Sequence, residues 1–316
     1  MYVHPAFKDL ADGIIKNPDR REAHEKAKPA IDQLCQDRDI LQEALKGLLA
    51  DGKFLETACN LVIPYLISGD VHIMSNLFIP LRDGARFITQ DNIHHHGWRL
   101  LTTGIISGNG YDSINFVRNS HTDRTGEKVN LKIDEEFHHR AGVLRSMDSD
   151  QPHVIFHPQT SSTTLAVWSA DKILTNQGIK RHLASFPGLS KRISKTIHLL
   201  HLQDALGLNP LKGLYYHPEA GQIVETQNYC KPFDGNREEV LRCFFVFFQQ
   251  IDFTDSDFWQ GQMKKPNFPA EAVGMVDMLL SGQAVPDIGI WGNIRRRFTR
   301  TQIMQAMDNS VAGDCE

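Results

Sequence analysis

Apolar residues in the first part of the chain recur at helical spacing. Between residues 38 and 49 they fall three or four positions apart, the period that gives a helix one buried face. A further helix is predicted over residues 54–67, where apolar residues are again dense, although Pro64 would leave one backbone hydrogen bond unmade. We therefore predict a helical N-terminal region at residues 1–70 that supports the fold or an oligomer interface.

The pattern changes at Val71, where short runs of alternating apolar and polar residues are separated by turns. A period of two places successive side chains on opposite faces of a strand. About eight or nine such runs fit between residues 71 and 172, and the glycine-rich turn at 107–110 joins two of them as a hairpin. Closely spaced antiparallel strands of this kind predict a barrel or jelly roll.

Helical spacing returns in the last part of the chain. A helix is predicted over residues 190–206, and residues 236–239 form a capping-box pattern that starts another. The run at 240–248 is apolar on all sides, so this helix has to be buried around most of its circumference. A short hairpin or loop is predicted at 215–225. Residues 173–316 are thus predicted to form a mainly helical C-terminal region, and the whole chain an α+β fold.

Composition and charge restrict the function classes. The chain has 316 residues and a formal net charge of −4, which argues against a nucleic-acid partner, because that partner would need a basic surface. No apolar run approaches the ~20 residues of a membrane span. The N-terminus lacks the basic and then apolar pattern of a signal peptide, so a cytoplasmic location is expected. The five cysteines are scattered, as expected for reduced thiols.

Three consecutive histidines, His94, His95 and His96, carry the strongest chemical signal. On a strand His94 and His96 point to one side and His95 to the other. Imidazole is a common ligand of zinc, iron, nickel and copper, so two imidazoles on one strand face would supply part of a metal's protein ligands. Such a cluster can also consist of solvated turn residues or hydrogen-bonded strand residues. A metal site would need a third ligand from elsewhere in the chain.

The third ligand is predicted to be His153. His153 and His157 lie four positions apart, so on a strand both would share a face. His153 is favoured because Pro152 restrains the backbone before it, and His157 is then predicted to act in catalysis by orienting water or substrate. Glu136 and His138 also share a strand face and compete for either role, although a solvated strand end is the favoured interpretation of these two.

Arg99, Tyr111 and Trp168 are candidates for the cavity around a metal, and Arg99 and Tyr111 are predicted to be catalytic. An arginine near the metal could hold a substrate carboxylate in a bidentate pair. Arg82 and Arg86 on the preceding strand could do the same, and the sequence does not single out one of the three arginines.

Two stretches resemble the two motifs of the cupin superfamily, whose members are small double-stranded β-helix barrels that hold a metal in the barrel mouth. The first motif is a His-x-His pair followed by an acidic residue and a glycine turn, and residues 94–96 supply the pair and Gly108 the turn. Leu100 and Leu101 stand where the acidic residue would be, and this departure resembles the three-His site of thiol dioxygenases such as cysteine dioxygenase. The second motif, a histidine after a proline-containing turn, resembles residues 152–158.

The resemblance implies a cupin-like antiparallel barrel at residues 71–172, with His94, His96 and His153 as metal ligands. Fe(II) is the expected metal, with Zn, Ni and Mn as alternatives, because an all-histidine site leaves positions open for O2 and substrate. We therefore expect a mononuclear non-haem Fe(II) dioxygenase that acts on a small anionic substrate. The alternative is a non-catalytic cupin that binds a small molecule, or a Zn, Ni or Mn hydrolase or isomerase. No nucleic-acid or membrane partner is expected, and a homo-oligomer is possible.

Overall fold

The computed structural model describes residues 3–50, 52–58, 60–81, 88–90, 93–96, 99–118, 120, 123–125, 128–149, 151–171, 212–217, 221–226, 237–287 and 297–311. The predicted helix at 190–206 lies outside these residues, as do Arg82 and Arg86. Every structural statement below concerns the described part of the chain.

Helices lie at both ends of the chain. The N-terminal ones are α1 (Pro5–Lys16), α2 (Arg20–Gln36), α3 (Arg38–Leu49) and the short α4 (Lys53–Glu56). The C-terminal ones are α5 (Arg237–Gln250), α6 (Ser256–Met263), α7 (Ala270–Ser281) and α8 (Arg300–Val311). Asp19 caps α2, since its side chain accepts hydrogen bonds from the backbone N–H groups of Arg21 and Glu22. Among the described helices, none is both long and apolar enough to cross a membrane.

Most strands lie between these two helical parts. In chain order they are β1 (Val62–Ser68), β2 (Val71–Phe78), β3 (Ile88–Gln90), β4 (Ile93–His95), β5 (Arg99–Ser107), β6 (Tyr111–Phe116), β7 (Arg124–Thr125), β8 (Lys128–Val129), β9 (Ile133–His139), β10 (Arg145–Met147), β11 (His153–Ile155), β12 (Ser162–Ala170), β13 (Lys212–His217), β14 (Gln222–Thr226) and β15 (Arg297–Thr299). Helices thus give way to short strands at β1 and not at Val71.

The predicted helix over residues 54–67 is wrong. The chain forms the one-turn helix α4 and then enters β1, which pairs antiparallel with β2. Buried and less buried side chains alternate along most of β1, with Ile63 and Tyr65 buried, so the apolar residues have the period of a strand. Pro64 is tolerated because β1 is an edge strand of its sheet.

The strands form antiparallel sheets, and with the helices they give an α+β fold. One sheet has five strands in the order β1-β2-β12-β5-β10, a second has eight in the order β7-β8-β14-β13-β4-β11-β6-β9, and β3 pairs with β15 in a two-stranded sheet. The predicted hairpin at 215–225 is confirmed, since β13 and β14 pair with each other and β13 adds to β4. Among the described residues no strand pairing joins the two large sheets, so the closed barrel stays a prediction.

One face of the five-stranded sheet is covered by helices. Ile73, Leu165 and Val167 belong to this face and share one apolar core with Phe7 of α1 and Leu34 of α2. The same core includes α5, whose apolar run is buried as predicted. Helices α1, α2 and α5 therefore cover the sheet from the same side.

The other face of the five-stranded sheet is turned toward the eight-stranded sheet. It carries Met74, Leu101, Met147, Ala166 and Trp168. The rings of Trp168 and His96 lie 4.2 Å apart between centroids, and those of Phe78 and Tyr111 lie 4.4 Å apart. These contacts bring the two sheets face to face.

The eight-stranded sheet has its own apolar face on the far side. Ile93, Ile114 and Val154 pack there against Ile303 and Ala306 of α8. Because side chains alternate along a strand, the residues between them in the sequence point toward the five-stranded sheet. The space between the sheets is therefore where the polar residues of β4, β6 and β11 meet.

Candidate metal centre

Three strands of the eight-stranded sheet place side chains in one row. His94 on β4 and Asn115 on β6 are both cross-strand partners of His153 on β11. Directly opposite residues of an antiparallel pair share a face, with Cβ atoms about 4.5–5.5 Å apart. His96 directly follows β4, and its ring lies on the same side as those of His94 and His153. The strand pairing thus brings His153 to two histidines that are distant from it in the sequence.

The three imidazole rings form a compact cluster. Ring centroids are 4.2 Å apart for His94 and His153, 4.6 Å for His96 and His153, and 5.0 Å for His94 and His96. One ring nitrogen from each residue lies within 4.8 Å of the other two. An ion about 2.1 Å from each nitrogen would require only a small inward movement of the rings. The cluster could therefore hold one metal ion.

Burial keeps two of these imidazoles neutral. His96 is 6% exposed and His153 is 1% exposed. Removal from water lowers the pKa of both rings well below the ordinary value of 6.5, and the neighbouring histidines lower the pKa further. A neutral imidazole offers a lone pair on one nitrogen, which is the form that binds a metal.

The turn before β11 sets the orientation of His153. Its Nδ1 lies 3.3 Å from the backbone carbonyl oxygen of Gln151. Because a carbonyl only accepts, Nδ1 has to donate, and the lone pair is left on Nε2 for a metal. The Gln151 side chain is itself held, since it donates to Asp134 at 3.1 Å and accepts from the backbone N–H of Asp148 at 3.0 Å.

His95 lies outside the cluster, as the alternation predicts. It is buried within β4, where it pairs with Lys212 of β13. Ile93, which shares its face, belongs to the apolar core under α8. The ring nitrogens that converge are those of His94, His96 and His153.

The structure does not bring Tyr111 or His157 to the cluster. Tyr111 begins β6, four residues from the partner of His153, which is about 13 Å along a strand. Its hydroxyl hydrogen-bonds with Nδ1 of His139 at 3.0 Å. His157 lies past the end of β11 and donates from Nδ1 to the carbonyl oxygen of Ile79 at 3.0 Å. A catalytic role for either residue stays a prediction.

Glu136 and His138 also lie away from the cluster. Glu136 is opposite Ile114, whose side chain is in the core under α8, so it points away from the histidines. Arg300 donates to its carboxylate from Nε at 2.9 Å. His138 is exposed, with Nδ1 2.9 Å from the carboxylate of Asp112. Both residues therefore lie on a solvated edge strand, away from the three histidines.

Of the three candidate arginines, Arg99 is the one that the structure describes. It lies close enough to the cluster for its charge to act on His96. It begins β5 opposite Ala170 and is half-buried. Burial lowers the pKa of its guanidinium, and the charge of Asp70 opposes that shift. The positive charge of Arg99 is one of the causes that lower the pKa of His96.

Trp168 packs against the cluster from the facing sheet. Its ring meets that of His96 edge to face, with an angle of 76° between the planes. Its indole Nε1 is buried and has no hydrogen-bond partner among the described residues. Trp168 therefore forms part of the wall around the three histidines.

Sequence reasoning missed Asn115, which lies opposite His153 and is 5% exposed. Its Oδ1 is buried and has no hydrogen-bond partner among the described residues. The sequence contains a pattern that indicates Asn115, because Ser113 and Asn115 alternate with the apolar Ile114 and Phe116 along β6. That pattern places a polar side chain on the face opposite the apolar core.

Comparisons with known proteins do not assign the chain to a family. Neither a protein-family model nor a curated protein matches the sequence. Solved structures that are similar include a structure of DMSP lyases, with 13% identity over 33% of this chain and a TM-score of 0.22. A Klebsiella pneumoniae protein with a double-stranded β-helix domain shows 15% identity over 34% of this chain and 74% of its own, with a TM-score of 0.23. The match spans only 40% of the lyase chain, and TM-scores this low establish neither family nor activity.

Proposed function

We propose that the protein is a metal-dependent enzyme of the cupin type that holds one divalent transition metal on His94, His96 and His153. The observation that carries this proposal is the convergence of three imidazole nitrogens between the two sheets. Imidazoles in this number and spacing match the ligand sets of mononuclear metal sites. The burial that keeps His96 and His153 neutral also favours metal binding over protonation.

The composition of the cluster favours a reactive centre over a purely structural one. Among the described residues, no cysteine or carboxylate joins the three histidines. Three protein ligands leave coordination positions for water or substrate, as in catalytic sites. Because all three ligands are neutral, the full 2+ charge of the ion is kept, and Arg99 adds positive charge nearby. These charges favour a small anionic substrate.

We propose Fe(II) as the metal and dioxygenation of that substrate as the reaction. Bound Fe(II) would supply the coordination site for O2 and the redox chemistry of the reaction, and the substrate would supply the electrons that reduce O2. The protein's own contribution is a dry, positively charged space. Leu101, Met147 and Ala166 face the cluster from the five-stranded sheet and limit access of water, while Arg99 attracts the substrate anion.

Elemental analysis of protein purified without added metal tests the centre. We expect about one equivalent of a divalent transition metal per chain. His94→Ala removes a ligand and is expected to lower the occupancy strongly, whereas the matched variant His95→Ala changes a histidine on the opposite face and should retain the metal. If His95→Ala strips the metal and His94→Ala keeps it, the assigned centre is wrong.

Oxygen uptake by the Fe(II) form tests the reaction. Uptake is measured with an oxygen electrode in the presence of a panel of thiols, β-diketones and carboxylates. At least one of these compounds, in its anionic form, is expected to stimulate uptake. Stoichiometric Zn in the protein as isolated, together with no substrate-dependent uptake, would instead favour a hydrolase, an isomerase or a binding protein built on the same three histidines.

A further inference from the structure

Asn115 extends the row of side chains that contains His94 and His153. It lies directly opposite His153, so the two side chains leave the sheet on the same face from Cβ atoms about 4.5–5.5 Å apart. Ile114 and Phe116, its neighbours in the chain, point the other way into the core under α8. The Asn115 side chain therefore lies beside the metal centre.

The amide of Asn115 has an unused acceptor. The residue is 5% exposed, and its buried Oδ1 has no hydrogen-bond partner in the part of the chain that the structure describes. A buried acceptor without a partner destabilises the folded protein. By contrast, Ser113 on the same face donates to the carbonyl oxygen of Val154 at 2.8 Å. The acceptor at Asn115 thus points to a partner other than the described residues.

The length of the Asn115 side chain decides what it can reach. Its Oδ1 lies two bonds from Cβ, whereas Nε2 of His153, the nitrogen left for the metal, lies three bonds from its own Cβ. Because the two side chains start side by side, Oδ1 ends short of an ion held at the tip of His153. A small molecule bound to such an ion beside His153 would be within its reach.

We propose that Oδ1 of Asn115 accepts a hydrogen bond from an N–H or O–H group of the small molecule bound at the centre. This inference rests on the proposed function and restricts the substrate class to small anions that carry a hydrogen-bond donor next to the metal-binding atoms. Asn115 then acts as a specificity residue. A ligand with an alkyl group at that place leaves the acceptor buried and unpaired, which weakens its binding.

Cobalt(II) takes the place of the native metal in the test, because its visible spectrum reports ligand binding without turnover. The probes are acetohydroxamate, which has an N–H beside its chelating oxygens, and N-methylacetohydroxamate, which has a methyl group there and the same chelating atoms. The wild type is expected to prefer acetohydroxamate. Asn115→Leu, similar in size but without an acceptor, should bind this probe about 3- to 10-fold more weakly and bind the N-methyl probe as well as before or better.

Three variants sharpen the result. Asn115→Asp keeps an acceptor of the same size and should keep the preference, whereas Asn115→Ala should lose it and serves if Asn115→Leu does not fold. Ser113→Ala, on the same face of β6, should change neither affinity. No preference in the wild type, or a preference that survives in Asn115→Leu or Asn115→Ala, overturns the inference. The proposed function fails separately, through a wild type that holds no cobalt on the three histidines.

Discussion

Buried histidines in the described part of the chain differ in what their ring nitrogens contact. Between α2 and the five-stranded sheet, both ring nitrogens of His24 hydrogen-bond with hydroxyl groups, Nδ1 with Thr102 Oγ1 at 2.8 Å and Nε2 with Ser169 Oγ at 2.9 Å. Between the two sheets, ring nitrogens of three histidines converge within 4.8 Å. The first arrangement links a helix to a sheet by hydrogen bonds. The second offers a set of ligands for a metal ion.

The comparison teaches that burial does not identify a metal-binding histidine. His24 is 3% exposed and His153 is 1% exposed, and burial is the main cause that lowers the pKa of both. Their hydrogen-bond partners are what differ. His139 repeats the structural pattern, with Nδ1 against the Tyr111 hydroxyl at 3.0 Å and Nε2 donating to the Val143 carbonyl oxygen at 3.1 Å. A buried histidine with both nitrogens satisfied by the protein has no lone pair to offer.

The largest expected effect separates the ligand set from such a structural histidine. His153→Ala removes a ligand and should weaken metal binding more than about 100-fold, which exceeds the usual loss for a residue that only supports a ligand. His139→Gln, which changes a buried histidine on β9, two strands away from β11, should stay within about threefold of the wild type. Competition with a chromophoric chelator measures both affinities. Equal losses in the two variants would remove the distinction between ligand and structural histidines.

His24→Leu should produce the opposite result. The substitution keeps the apolar volume but removes the imidazole hydrogen bonds of Thr102 and Ser169, whose hydroxyl groups keep longer ones with Ser146 at 3.4 Å and with the Ala170 carbonyl oxygen at 3.3 Å. We expect the free energy of unfolding to fall by about 1–3 kcal/mol, the usual cost when buried polar groups lose hydrogen-bond partners. Urea denaturation of the metal-free protein at neutral pH measures this loss. Metal affinity should stay at the wild-type value, and a parallel loss of metal would contradict a purely structural role.

The stability supplied by His24 should also depend on pH. Burial, and then the charge of Arg20, lower the pKa of its ring from 6.5 to about 4. The folded state therefore takes up the proton less readily than the unfolded state, so this stability is complete above about pH 6.5 and is lost as the pH falls toward 4. Between about pH 6.5 and 5, the advantage of wild type over His24→Leu should shrink by about 1–2 kcal/mol. Urea denaturation of both metal-free proteins at several pH values checks this, and an advantage that does not change with pH would contradict it.

Local periodicity explains which parts of the site could be predicted. A period of two is a property of a single strand, so it was enough to place His94 and His96 on one face and His95 on the other. The density of apolar residues at 54–67 is compatible with a helix, whereas their period is that of a strand, since the buried side chains of β1 alternate. Helix and strand patterns overlap over so short a run.

Strand pairing explains which parts of the site could not be predicted. Asn115 matters because β6 lies beside β11 in a register that puts it opposite His153, and that register depends on residues distant in the sequence. Tyr111 shares the same face of β6 but lies four residues away, so membership of a face did not imply nearness to the metal ligands. The face on which a side chain lies can be predicted from a single strand. Its neighbours on that face depend on which residues of the adjacent strand lie opposite it.

The smallest expected effect concerns Trp168, whose ring lies against His96. A paramagnetic ion such as Cu(II) in the cluster should quench its fluorescence over this short distance. Trp168→Phe keeps an aromatic ring there, so we expect metal affinity within about threefold of the wild type and a smaller quenching amplitude. Trp259 packs instead against Phe248 and Phe253 in the helical core, which makes Trp259→Phe the matched control. That variant should lose total emission and keep the metal-dependent decrease. Equal quenching losses in the two variants would mean that the ion binds elsewhere, and the contrast between ligand and structural histidines would then lose its basis.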